Sequence, residues 1–96
     1  MIGEKELKDK ILNILKKDTI IKSSTGFLYL YDAILLCFKD RTLLDCMNKE
    51  LFVRVAELED TTAKKVANTM RYAISTSELG KTISECILTA LIMLKE

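Results

Sequence analysis

Three hydrogen-bond donors, Lys64, Asn68 and Arg71, recur at intervals of four and three residues, with Lys65 and Tyr72 beside them. That spacing puts them along one side of a helix. Their shared chemistry is recognition of acceptors. An arginine fork can bond guanine, an asparagine amide can bond adenine, and a lysine can neutralise a phosphate. Thr62, at the head of the segment, can cap a helix or donate to a phosphate. From Thr61 to Tyr72 there are three bases and no acid, whereas Asp40 to Asp60 holds six acids and three bases. The total of +1 does not advertise a nucleic-acid partner, so the distribution must carry the argument. Taken alone, the three cations read as a solvated helix face.

Other chemistries find little support. There is no histidine, which removes the commonest general base and metal ligand. No glycine-rich phosphate loop or G-x-S-x-G motif occurs. The chain is expected not to be an enzyme, with no catalytic residue, cofactor, metal or small-molecule substrate. Glu57, Glu59 and Asp60 cluster at a helix end and read as a solvated acidic rim. Cys37, Cys46 and Cys86 are odd in number, widely spaced and outside any C-x-x-C pair. They are expected to be reduced, mostly buried thiols. Met1 to Lys10 is charged throughout and resembles no secretory leader. Ile87 to Leu94, eight residues interrupted by Thr89, is too short to span a bilayer. A cytoplasmic protein without a membrane partner is the expectation.

The elements that must position the donors are helical. Ninety-six residues suit one domain, taken as 1–96. The chain has no proline and only three glycines, too few for the tight turns of a sheet-rich fold. The expected fold is all-α, a small bundle of about five helices. Leu7, Ile11, Ile14 and Leu15 mark a first helix from Glu4 to Lys17. Asp18 to Thr25 breaks the pattern, its Thr19, Ile20 and Ile21 too short a run to propose a sheet. Phe27, Leu30, Tyr31, Ile34, Leu35 and Phe38 form the core stripe of a second helix, capped by Ser24 or Thr25. Arg41 to Glu59 reads as two short helices broken near Met47 to Lys49. Asn48 is the N-cap of the second, whose apolar face is Leu51, Val55 and Leu58. A fourth helix runs from Thr62 to Leu79, with Gly80 as its stop and Val66, Met70, Ala73 and Ile74 inward. A last helix, Thr82 to Lys95, is apolar on most sides, so it is either buried in the bundle or paired with another chain.

Two helices joined by a short turn, the second polar and basic outside, is the arrangement that reads a major groove. The turn Glu59-Asp60-Thr61-Thr62 has no central glycine. The wording of the chain adds to this pattern. "GFLYLYDAILL" begins at Gly26 and "TTAKKVANTMRYAI" at Thr61. Together they resemble the C-terminal effector domain of the sporulation response regulator stage-zero sporulation protein A. Gly26, Phe27, Tyr29, Leu30, Ala33 and Ile34 match its early helix. Thr61, Thr62, Val66, Met70, Arg71, Tyr72, Ala73 and Ile74 match or nearly match its recognition helix. The clearest likeness covers residues 26–74, with a fainter one in the last helix. The resemblance implies an all-helical DNA-binding domain, with Leu51 to Glu59 as the supporting helix and Thr62 onward as the reader. It also implies binding as pairs on repeated sites, so a homodimer is a candidate assembly. Where the family commonly has Arg-Val-Glu-Arg, this chain has Lys65-Val66-Ala67-Asn68, so its DNA code is expected to differ. Phe52-Val53 replaces a tyrosine-proline pair.

The expected function is sequence-specific binding of double-stranded DNA in transcriptional control of sporulation, through a helix-turn-helix in the major groove. Lys64, Asn68 and Arg71 are assigned to base edges, and Thr62, Lys65 and Tyr72 to phosphates. The alternative is a diverged helical protein-interaction module that no longer binds DNA and uses the broad apolar face of the last helix.

Overall fold

The computed structural model describes residues 3–17, 24–75 and 82–95. Among these the regular structure is entirely helical, as expected. Helix α1 is Glu4–Lys17, α2 Ser24–Lys39, α3 Phe52–Leu58, α4 Ala63–Ile74 and α5 Ile83–Leu94. A 3-10 turn, Arg41–Leu44, and a π turn, Met47–Leu51, connect α2 to α3. Of the expected break from Asp18 to Thr25, residues 18–23 lie outside the described residues, as do the expected helix end at Leu79 and the Gly80 stop, while Ser24 and Thr25 are already in α2.

Helix α2 is the axle of the fold, because it packs against each of the other four helices. Its sequence allows this. Gly26, Tyr29, Leu30, Ala33, Ile34 and Cys37 are all buried, a broad arc that can face several neighbours at once. The core arc is therefore rotated from the expected stripe. Leu30 and Ile34 belong to it, but Phe27, Tyr31 and Leu35 are only partly buried, and Phe38 is 37% exposed. Large and small side chains share the buried arc, Tyr29, Leu30 and Ile34 beside Gly26, Ala33 and Cys37. Thr25 is inside the helix rather than capping it. Helix α1 matches its expected bounds and buries Leu7, Ile11, Ile14 and Leu15. An exposed ion pair, Lys39 Nζ to Glu4 Oε1 at 3.5 Å, joins the start of α1 to the end of α2, and so exposed a pair adds little stability.

The segment between α2 and α3 breaks as expected, but earlier and by a different device. Asp40 is extended, and its carboxylate accepts from the Thr42 backbone N–H at 3.1 Å and from the Thr42 hydroxyl. Those bonds hold its pKa below the usual carboxylate range and close α2 while starting the 3-10 turn. Asn48 is not an N-cap; it sits in the π turn, whose cap position is Cys46. Leu51 and Val55 are buried, but Leu58, assigned to the same inward face, is 61% exposed. Helix α3 is only seven residues long, and its last residue faces outward where the chain turns away.

Cys37 and Cys86 are buried, Cys46 is exposed, and none of the three is in a disulfide. Burial pushes the Cys37 thiol up to about 11, which leaves it un-ionised near neutrality and a packing residue rather than a nucleophile.

Candidate nucleic-acid interface

Helix α4 begins at a well-made cap. Thr62 is extended, with φ −109° and ψ 152°, and its hydroxyl oxygen accepts from the Lys65 N–H at 3.2 Å. This satisfies one of the backbone donors that every helix start leaves open. Thr62→Ala is expected to cost about 1 kcal/mol, read as a lower urea midpoint with an unchanged slope. The helix closes at Ile74, before the expected Leu79. The Ser75 hydroxyl donates to the Tyr72 carbonyl at 2.8 Å, and the Ser75 N–H bonds the same oxygen at 3.3 Å. A serine that bonds back onto the preceding turn competes with continuation of the helix.

The link from α3 to α4 is Glu59-Asp60-Thr61-Thr62. Asp60 has φ 54°, the left-handed conformation that glycine adopts without strain. The Thr61 N–H then reaches the Ala56 carbonyl at 2.9 Å, the long bond of a Schellman closure. An aspartate does here what a glycine does in many such turns, so a turn without glycine still folds back sharply. Asp60→Gly is expected to raise stability by up to about 1 kcal/mol, while Asp60→Val is expected to lower it. Thermal unfolding followed by circular dichroism separates the two signs.

The inner side of α4 is Val66, Ala67, Met70, Ala73 and Ile74, all buried. The outer side carries Lys64, Lys65, Asn68, Arg71 and Tyr72, all exposed, Tyr72 at 63%. Thus every assigned contact residue lies on one open face, with Thr62 at its head. At about 100° per residue, Lys64 and Arg71 form one edge of that face, Lys65 and Tyr72 the other, and Asn68 lies between. Two shallow grooves flank it. One is lined by Thr25, Lys65, Asn68, Thr69 and Tyr72. The other is lined by Asn48, Phe52, Lys64, Ala67, Asn68 and Arg71 among others, and beyond Arg71 a hollow continues past Ser75 to Thr82 and Ser84 at the head of α5. Asn68 borders both grooves. Thr25 and Asn48 are neighbours that sequence reasoning assigned elsewhere, as caps, because nothing local marks a residue brought to this face from a different element.

Within the face one side-chain bond forms. An Arg71 guanidinium N–H donates to Asn68 Oδ1 at 3.4 Å, three residues apart on one helix.

The acidic residues before the face do not all behave as a solvated rim. Glu57 and Asp60 are exposed, but Glu59 is half-buried. Its partner is Asp32 of α2, a residue sequence reasoning passed over. Asp32 is 8% exposed, and its Oδ2 has no hydrogen-bond partner among the described residues. Burial first, then hydrogen bonding and like charge from the Glu59 side chain, push the Asp32 carboxyl up to about 7. This pair joins α2 to the C-cap of α3, where the α3–α4 link begins. Among the described residues no group of three or more histidine, cysteine or acidic side chains could hold a metal ion, and no helix is long and apolar enough to cross a membrane.

Comparison with known families adds one finding. The family model described as "Sporulation initiation factor Spo0A C terminal" matches residues 11–88. The match extends the likeness from the two quoted blocks to most of the chain, from the middle of α1 into α5.

Proposed function

The chain belongs to the family of Spo0A C-terminal domains, DNA-binding effector domains of a sporulation regulator, and from that premise we propose that it is a sequence-specific transcriptional regulator reading the major groove through α3 and α4 as a helix-turn-helix. The observation that carries this reading is the outer face of α4. It is built from donors, contains no carboxylate, and is seated on a fully buried inner face. Lys64 and Arg71 are seven residues apart, about 10 Å along the axis, or about three base-pair steps. In this reading Lys64, Asn68 and Arg71 meet base edges. Lys65 and Tyr72 meet phosphates along the opposite edge. The Thr62 hydroxyl spends its oxygen on the cap and keeps its hydrogen for a phosphate. The positive end of the α4 dipole points the same way.

The protein acts as one cytoplasmic domain, not as an enzyme, and binds double-stranded DNA as a homodimer on repeated half-sites. Leu88 and Ile92 of α5, four residues apart and 38% and 55% exposed, are apolar area for the second copy. Those same residues are the observation favouring the second reading, a helical module that binds a protein partner instead of DNA.

Fluorescence anisotropy against random and family-site duplexes across a salt series distinguishes the readings. A DNA reader gives a linear fall of log affinity with log salt, at a slope near 0.9 per phosphate contacted, and selects one sequence. A folded sample that binds no duplex at low salt would discard this reading in favour of the partner module.

A further inference from the structure

A helix seated in a major groove has phosphates on both sides, because the groove is about 12 Å wide and a helix with its side chains about 10–12 Å across. In the helix-turn-helix reading, Lys65 and Tyr72 take one side of α4. The other side lies beyond the Lys64–Arg71 edge, where the hollow opens and four elements converge. The π turn brings Asn48, α3 brings Phe52, α4 brings Arg71 and Ile74, and the head of α5 brings Thr82, Ile83 and Ser84.

We infer that this hollow seats the sugar–phosphate backbone of the strand opposite the one met by Lys65 and Tyr72, with Asn48, Thr82 and Ser84 donating to its phosphates. This rests on α4 being the DNA-reading helix. The hollow measures about 500 Å³, far beyond the roughly 30 Å³ of a water. Its floor is apolar, from the buried Phe52, Ile74 and Ile83, and its rim is polar. A backbone strand has the same division, with carbon-rich sugar faces between charged phosphates. No carboxylate lines the hollow or the groove that enters it beside Lys64, although the chain has fourteen acids. Glu50 and Glu85, near Asn48 and Ser84 in the chain, are not among the residues that line it. Lys64 and Arg71 stand at its α4 side, so the local potential favours an anion. The donors can be accounted for one by one. Asn48 and Ser84 are exposed. The Thr82 hydroxyl accepts from the Glu85 N–H at 3.1 Å and keeps its own hydrogen, as Thr62 does at the head of α4. Ser75 also borders the hollow, but its hydroxyl hydrogen is spent on the Tyr72 carbonyl, so it is not a donor here. Arg71 borders both the hollow and the donor face, so the two surfaces are continuous and one duplex can cover both.

The test is a set of selected-site duplexes in which single phosphates are replaced by uncharged methylphosphonates, measured by anisotropy with wild type, Asn48→Ala, Ser84→Ala and Lys65→Ala. Wild type is expected to be sensitive at phosphates of both strands beside the read bases. Asn48→Ala and Ser84→Ala are each expected to weaken selected and random duplexes alike, about fivefold, without altering the preferred sequence. Each is expected to lower the sensitivity of one strand only, and Lys65→Ala that of the other. Neither Asn48→Ala nor Ser84→Ala removes a charge, so the salt slope is expected to stay as in wild type. Ser84→Asp separates contact from folding. A carboxylate in the first turn of α5 is expected to hold or raise the urea midpoint while weakening DNA binding at least about tenfold. Sensitivity confined to the Lys65 strand, a scan unmoved by Asn48→Ala and Ser84→Ala, or affinity losses that track losses of stability overturn the seat and leave α4 as the reader. Absence of binding to every duplex overturns the seat together with the DNA-reading function.

Discussion

Lys64→Ala combined with Arg71→Ala is expected to lower affinity for the selected duplex at least about a hundredfold while leaving the protein folded. Each good base contact carries about 1–3 kcal/mol of discrimination, and each cation lost removes one phosphate-attracting charge. Non-specific binding weakens too, and the slope of log affinity against log salt falls by about 1.8, at about 0.9 per charge. Both side chains are exposed and lie off the buried face of α4. Their loss is therefore expected to change stability by no more than about 0.5 kcal/mol, which a urea titration verifies on the same sample. Lys65→Ala contrasts with the pair. On the opposite edge of the face it is expected to weaken all duplexes alike, lowering the salt slope by about 0.9 without altering the preferred sequence. If the paired substitution left affinity and selection unchanged, α4 would not be the reader.

Asp32→Asn is expected to stabilise the protein above pH 7 and to flatten its stability between about pH 4 and pH 7. The sign follows from where the proton sits. An unfolded aspartate ionises near 3.8, whereas in the folded chain burial and Glu59 hold the Asp32 proton up to about 7. Below pH 3.8 both states are protonated and the residue costs nothing. As pH rises toward 7 the unfolded chain releases its proton and the folded chain does not, so stability declines. Above the folded pKa the penalty is constant, on the order of 4 kcal/mol before solvent screening reduces it. An asparagine removes the ionisation and supplies an N–H that can donate to Glu59. A gain on the order of 1–3 kcal/mol at pH 8 is expected, shrinking to nothing or reversing at pH 4. Urea midpoints at the two pH values measure it. An unchanged gap between them would place the pH dependence elsewhere. Asp32 therefore marks a place where the fold tolerates a cost, at the contact between α2 and the end of α3.

How much of this was legible beforehand depends on how local each cause is. Helix α1 was readable to the residue because one uninterrupted apolar stripe faces one lysine-rich side. The cap at Thr62 and the start of α5 after Thr82 were readable because a threonine oxygen and a backbone N–H three residues on need nothing else to find each other. The open donor face of α4 followed from periodicity alone, and the two family blocks pointed to DNA before any fold was known. What the sequence could not show arises from contacts between elements. Helix α2 meets four neighbours at once, so its buried arc is rotated from the stripe that periodicity favours, taking in Gly26, Tyr29, Ala33 and Cys37 and leaving Phe27, Tyr31, Leu35 and Phe38 at its margin. Leu58 continues an apolar pattern but ends a seven-residue helix at a turn, so nothing comes to cover it. Asp32 drew no reading from the sequence, because only the packing of α2 and the nearness of Glu59 make it a buried acid beside a like charge. Residue types and spacing determined the helices and the chemistry of the reading face. Tertiary structure decided which side of α2 is core, which acid is buried and which elements flank the donor face of α4, because burial and electrostatic coupling depend on neighbours distant in the chain.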